Sequence, residues 1–239
     1  MIEVPLTVEV IMIQSDFKIT APSFMTSLAK DLDSKVEMAW QMEKDKRRGQ
    51  VFDGNMLSLV SMEPGLLTGE YVPYKTYVAQ LIDSHLREKL AICPVGVSGI
   101  VISPNSVLFG ERSSVVTLYP NFYELAPSGS ISIDSLGIDG VVDYRMQLLV
   151  ELFEETRISP DKPTEISPFA LAKDTSNLTV DICCLLRVKE ELSLQFNDEY
   201  PSLAWVPFQE VGAFVNEHST KIVPTSLAIL SVAEERGWI

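Results

Sequence analysis

The chain has 239 residues, of which 33 are Asp or Glu and 19 are Lys or Arg, for a formal net charge of −14. Charge of that sign repels phosphate backbones and anionic lipid, which excludes nucleic acid or a membrane surface as a large partner and leaves room for a small phosphorylated ligand held by local positive charge. With 46% hydrophobic and 22% charged residues it reads as a soluble globular chain able to bury a sizeable core.

Residues 1 to 14 carry Glu3 and Glu9 with no basic start, and no apolar run reaches the length of a membrane span, so neither signal peptide nor membrane helix is expected. Residues 3 to 13 alternate and then turn apolar, as in a strand that becomes buried; a second short strand, Phe17 to Thr20, follows it. Ala21-Pro22-Ser23 is read as a break and helix start. From there Phe24, Leu28, Leu32, Val36 and Trp40 predict an amphipathic helix with a basic end, Lys44 to Arg48, stopped by Gly49. Val51-Phe52-Asp53-Gly54 leads into strands Met56 to Met62 and Leu66 to Val72 around a Pro64-Gly65 turn, and Tyr74 to Leu90 is expected to run as strand and then helix, with His85 half-buried.

Composition shifts at Cys93-Pro94, dividing the chain into an N-terminal α/β extension, residues 1–92, and a second domain, residues 93–239. Val95 to Ser103 is apolar and β-branched, the mark of a central strand, and Val107 to Arg112 pairs with it as a hairpin. Val115 to Tyr119 and Phe122 to Leu125 bring the chain back to a Pro-Ser-Gly turn at Gly129. The loop 130–143 is longer than a tight turn needs.

Asp143 to Ile158 is the most informative stretch. At helical period Met146, Leu149, Leu152 and Phe153 form an apolar stripe, while Gln147, Glu151, Glu154 and Glu155 share the adjoining face. Acids three and four apart repel one another unless a cation sits among them, and an oxygen-rich cluster without histidine suits Mg²⁺ or Mn²⁺. A merely solvated acidic face is the competing reading.

Two strands follow, Ile166 to Lys173 and Leu178 to Val188. Asp181, inside the second, stands either at a strand end or in a polar pocket. Helices are expected at Phe208 to Val215 and Thr225 to Glu235. Cys93, Cys183 and Cys184 make an odd number without CxxC spacing and read as buried thiols of a reducing, cytoplasmic protein; His85 and His218 offer little for zinc.

Val150-Glu151-Leu152-Phe153-Glu154-Glu155-Thr156-Arg157-Ile158 resembles the second half of the Nudix signature, G-x5-E-x7-R-E-U-x-E-E-x-G-U, in its three glutamates and both aliphatic positions. It departs from the signature at Val150, where the family has Arg, and at Arg157, where it has Gly. Gly129 looks like the opening glycine, although the segment to Glu151 is about seven residues longer than the signature. Trp40, the Val51 to Gly54 run and Tyr74-Lys75-Thr76-Tyr77 are similar to an atypical Nudix branch that includes the UDP-glucose diphosphatases.

The resemblance implies an α+β fold, an α/β/α sandwich with a mixed β-sheet, preceded by the N-terminal extension. It implies Glu151, Glu154 and Glu155 as ligands of Mg²⁺ or Mn²⁺, Glu154 and Glu199 as catalytic acids, Arg112 and Gly129 at the substrate phosphates, and Lys75 with Tyr74 or Tyr77 near a uracil or phosphate. The implied reaction is cleavage of a nucleoside diphosphate linked to another moiety, first a UDP-sugar giving UMP and a sugar 1-phosphate. ADP-ribose or dinucleotide hydrolysis, and a non-catalytic binding module of the same fold, are the alternatives. A homodimer stays open.

Overall fold

The computed structural model describes residues 2–25, 27–47 and 52–239, so the predicted helix end at Arg48 and Gly49 and the position of Val51 lie outside the described residues. The first part of the chain runs β1 (Val8–Met12), β2 (Lys18–Phe24), α1 (Lys30–Lys46), β3 (Asn55–Glu63), β4 (Leu66–Pro73), α2 (Tyr74–Ile82) and α3 (Ser84–Leu90). The remainder runs β5 (Val95–Ile102), β6 (Ser106–Glu111), β7 (Tyr123–Leu125), β8 (Ser128–Ser130), α4 (Tyr144–Thr156), β9 (Glu165–Asp174), β10 (Thr179–Arg187), β11 (Ser202–Pro207), α5 (Phe208–Glu217) and α6 (Pro224–Glu235).

Among the described residues the main sheet runs β1-β9-β10-β5-β6-β11, with β7 added to β6 and β8 to β5. β5 and β10 are parallel and the other pairs antiparallel, so the sheet is mixed. A smaller sheet, β2-β4-β3, belongs to the first part of the chain, yet β1 crosses over and pairs along β9 from Val8–Asp174 to Met12–Ala170.

β5 is buried at every position, as its unbroken β-branched run requires of a strand covered on both faces. Val95, Val97 and Val101 point into a core shared with α4 and with Leu57, Leu67 and Tyr71 of the small sheet. Ile100 and Ile102 point the other way, onto α5 and α6. Period-two alternation thus places the sheet between two layers, the expected α+β sandwich.

Several local expectations are corrected. Ala21 and Pro22 lie within β2, at a register shift between Thr20 and Ser23, and α1 begins only at Lys30. Pro is tolerated there because the ladder is already interrupted. Tyr74 opens α2 directly, without a strand, since Pro73 closes β4 and sits at the cap position. His85 is exposed rather than half-buried. Residues Val115 to Tyr119 carry the chain back toward β7, as expected, without regular secondary structure. That segment runs as a loop in which Tyr119 and Asn121 take positive φ of 51° and 61°.

α4 departs most from its helical wheel. Met146 and Phe153 are 39% and 44% exposed, while Gln147 and Glu155 are buried beside Leu148 and Leu152. The buried face is part polar because β8 and residues 132–135 pack on it and supply hydrogen-bond partners.

Candidate active site

Asp143 caps α4 by accepting from the Met146 N–H at 2.9 Å, and Arg157 ends it in the left-handed conformation at φ 63°. That is the conformation glycine would adopt without strain, so Arg157 holds at a cost the backbone geometry in which a helix usually ends on glycine.

Between those ends, Gln147, Glu151 and Glu155 follow at successive turns. The Gln147 side-chain oxygen accepts from Ser132 N (3.2 Å), Ser132 Oγ (3.0 Å) and Ser135 Oγ (2.6 Å), which fixes the amide so that its nitrogen donates to Glu151 Oε1 at 2.7 Å. Glu151 lies against Gly129, where a side chain would meet its Cδ at 2.3 Å. Glu155 Oε2 accepts from Ser128 N at 3.0 Å, and its Oε1 is buried with no partner among the described residues.

Burial, with smaller contributions from Glu199 and Glu154, pushes Glu151 from 4.5 up to about 7, although the Gln147 bond opposes this. Burial together with Glu199, Glu124 and Glu151 holds Glu155 well above the usual carboxylate range. Burial also raises Glu199, which Arg112 partly offsets.

Glu199 is placed by Asn197. The Asn197 amide donates to the carbonyls of Glu154 (2.9 Å) and Glu155 (2.8 Å), while its oxygen accepts from Glu199 N (2.9 Å) and Tyr200 N (2.7 Å). One side chain therefore ties the end of α4 to the loop carrying Glu199. Below it, Glu124 is 3% exposed, paired with Arg112 and accepting from the Tyr200 hydroxyl. Arg112 Nε also donates to the Leu118 carbonyl at 3.2 Å.

These groups border a cavity of about 470 Å³ between the two parts of the chain. Arg112, Gly129, Tyr77 and Glu199, four of the predicted site residues, line it. Glu151 and Glu155 adjoin it through Gly129 and Ser128. Glu154 is exposed, and Lys75 lies off the cavity, paired with Glu37 and, at 3.8 Å, with Asp53. The first part of the chain contributes Arg47, Met56, Tyr74 and Tyr77 to the wall.

Sequence reading missed Asn197 and Glu124 as site-building residues, because their partners lie far off in the chain, and it placed Gln147 on the acid face without assigning its amide, one turn before Glu151, to orienting that carboxylate. It left Asp181 between two settings. Asp181 is inside β10 and on the cavity wall, with burial, then Glu124 and Asp174, raising it from 3.8 to about 7.

Among the described residues no three His, Cys, Asp or Glu side chains converge as a ready-made metal cluster. The donor chemistry nonetheless fits a hard divalent ion. Glu151, Glu155 and Glu199 are oxygen donors of raised proton affinity, and Glu155 Oε1 is an orphaned buried acceptor.

No protein-family model and no curated protein matches the sequence. Part of the chain is similar in structure to the NUDIX domain of Shewanella oneidensis NrtR complexed with ADP ribose, at 18% identity and TM-score 0.48, over 60% of this chain and 88% of that one. The MutT protein from Methanosarcina mazei Go1 is similar at 14% identity and TM-score 0.46, over 60% of this chain and 94% of that one. A bifunctional NMN adenylyltransferase/ADP ribose pyrophosphatase from Francisella tularensis, complexed with AMP and a Mn ion, is similar at 15% identity and TM-score 0.45, over 69% of this chain and 53% of that one. At these identities and scores the likeness concerns the course of part of the chain and transfers no activity.

Proposed function

We propose that the chain is a Nudix-type hydrolase that uses Mg²⁺ or Mn²⁺ to cleave the diphosphate of a nucleoside diphosphate linked to another moiety, first a UDP-sugar such as UDP-glucose, giving UMP and glucose 1-phosphate. The observation that carries this reading is the unpartnered, buried Glu155 Oε1 beside Glu151 and Glu199 at the edge of the cavity. Leaving such an oxygen unpaired costs about 1–3 kcal/mol, and a bound cation would remove that cost.

Glu151, Glu154 and Glu155 would hold the ion, which when bound neutralises charge on the diphosphate and makes a bound water more acidic. Gln147 keeps Glu151 aimed. Glu199, of raised proton affinity and on the cavity wall, is suited to take a proton from the attacking water. Gly129 leaves space for Glu151, and Arg112 faces the same cavity. Tyr77 lines the wall supplied by the extension, residues 1–92, which in this reading shapes the nucleotide site; Lys75 would reach the ligand only after leaving Glu37. Among the described residues no helix is long and apolar enough to cross a membrane. A cytoplasmic location is part of the proposal.

Incubation with Mg²⁺ and a panel of nucleotide sugars, ADP-ribose, dinucleoside polyphosphates and nucleoside triphosphates tests it. Release of a nucleoside monophosphate, abolished by Glu155→Gln, is expected. Absence of turnover across the panel overturns it. The competing reading, a non-catalytic module of the same fold, draws on Val150 and on the lack of a converged acid cluster among the described residues. It predicts ligand-dependent thermal stabilisation without turnover.

A further inference from the structure

Asp181 stands apart from the other polar groups at its end of the cavity, because those are engaged with one another. The Tyr119 hydroxyl donates to Asp174 Oδ2 at 2.6 Å, Asn177 donates to the same oxygen at 2.9 Å, and the Tyr77 hydroxyl donates to the Asn177 carbonyl at 3.2 Å. Arg47 and Arg112, the basic side chains of the wall, are paired with Glu43 and Glu124. The Asp181 carboxylate makes no hydrogen bond or ion pair among the described residues.

Its place is built, not incidental. Across the parallel β5–β10 register Asp181 faces Gly96, where a Cβ would meet Asp181 Oδ1 at 2.4 Å and the Gly129 carbonyl at 2.9 Å. Only glycine at 96 leaves the carboxylate lying over the strand beside β8. Tyr77, Met56 and Pro94 line the same cavity and supply apolar surface. The part of a ligand that reaches Asp181 therefore meets a free acceptor within apolar walls and, among the described residues, no unpaired cation, so that part must bring hydrogen-bond donors and no negative charge.

We propose that Asp181 is a specificity-determining residue that accepts hydrogen bonds from the hydroxyls of an uncharged glycosyl group attached to the diphosphate, and that it turns away an anionic group in that position. The proposal rests on the nucleotide-sugar reading above. It assigns Asp181 to recognition and not to the metal.

The test, run at about pH 8.5 so that Asp181 is ionised, compares the full chain with Asp181→Asn, which keeps the shape and removes the charge; Asp181→Ser is the second variant should the first not fold. UDP-glucose and UDP-glucuronate binding is titrated calorimetrically with Ca²⁺ present, Mn²⁺ binding is titrated alone, and Mg²⁺-dependent turnover is measured separately. The expected result is wild-type preference for UDP-glucose, a roughly 10- to 100-fold weaker hold on it in the variant, a tighter hold on UDP-glucuronate once the like charge is gone, and unchanged Mn²⁺ affinity. Equal losses for both nucleotides, or a parallel loss of Mn²⁺ affinity, overturns the assignment. An Asp181-dependent preference without turnover upholds recognition and defeats the hydrolase reading; turnover indifferent to Asp181 does the reverse. Failure to bind either nucleotide defeats the assignment of Asp181 and the UDP-sugar choice, while turnover of another member of the panel would leave the hydrolase reading standing.

Discussion

The Glu151 carboxyl group rests on the backbone of Gly129, so that a methyl group at 129 would lie 2.3 Å from its Cδ and 2.4 Å from its Oε1. The atoms in the way are the far end of a flexible side chain, so Gly129→Ala should move Glu151 rather than unfold β8. Stability is expected to fall by about 1 kcal/mol in urea unfolding, the low end of overpacking, because a flexible side chain can give way. Mg²⁺-dependent hydrolysis should fall about tenfold or more, as small misplacements at a reacting centre do. Loss of stability with activity intact would show that Glu151 does not act where the proposal needs it.

Gln147 does for Glu151 what no residue at position 150 does, since Val150 is 39% exposed. Gln147→Glu keeps an acceptor for Ser132 and Ser135 and replaces the donor to Glu151 with a second carboxylate. Activity and Mn²⁺ affinity should each drop about 10- to 100-fold, the usual effect of losing a group that orients a metal ligand. Calorimetric Mn²⁺ titration checks this independently of turnover.

The acids of raised proton affinity set a pH dependence of stability. Glu151 and Asp181, pushed up to about 7, hold protons in the folded chain that the unfolded chain has released above its ordinary carboxyl values of 4.5 and 3.8, and burial shifts Glu155 and Glu199 in the same direction. The folded state therefore binds more protons in that interval, and its stability falls as pH rises towards and through about 7. Without divalent ions Tm should be higher near pH 5.5 than near pH 8 by roughly 5 °C or more. Mg²⁺ should raise Tm at the higher pH and have little effect at the lower, where protons hold the same oxygens. A flat profile, or Mg²⁺ stabilisation strongest in acid, would contradict this.

Elements whose signal is local were legible in the sequence: β5 and β10 from their apolar β-branched runs, and α4 from its period between Asp143 and Arg157. The orientation of α4 was not. A helical wheel assumes an apolar neighbour, and the neighbour here is β8 with its serines and glycine, so Gln147 and Glu155 turn inward while Phe153 turns out. Pro22 misled for a similar reason: the sequence shows a helix-start pattern, whereas the pairing of β2 with β4 decides the matter. Glu151, Glu154 and Glu155 stand out in the sequence because they share one helix. Glu124 with Tyr200, Asn197 with the end of α4, and Asp181 with Gly96 pair over long stretches of chain, and no spacing announces them.

Arg157 holds a positive φ of 63° at the C-terminus of α4, with its guanidinium 5.4 Å from the Phe153 ring. Arg157→Gly removes left-handed strain and loses a weak exposed ring contact, while adding freedom to the unfolded chain. A net gain of about 0.5–1 kcal/mol is expected in urea unfolding, with kcat unchanged. A destabilised variant would mean that the ring contact outweighs the backbone.

Arg112 is both the proposed phosphate-facing cation and the partner of a buried acid, and the two roles can be separated. Arg112→Ala leaves Glu124, 3% exposed, with the Tyr200 hydroxyl but no counter-charge, which should cost about 3–5 kcal/mol. Adding Glu124→Gln to Arg112→Met removes the stranded charge and should recover most of that loss, since a buried pair replaced on both sides is often near neutral. If Arg112 only props up Glu124, hydrolysis returns along with stability. If it meets the substrate phosphate, the double variant folds with a near wild-type Tm and still hydrolyses at least ~10-fold more slowly, because no cation remains to follow charge developing on the diphosphate. The second outcome is expected: Arg112 lines the cavity while paired with Glu124, which leaves it one short displacement from a ligand.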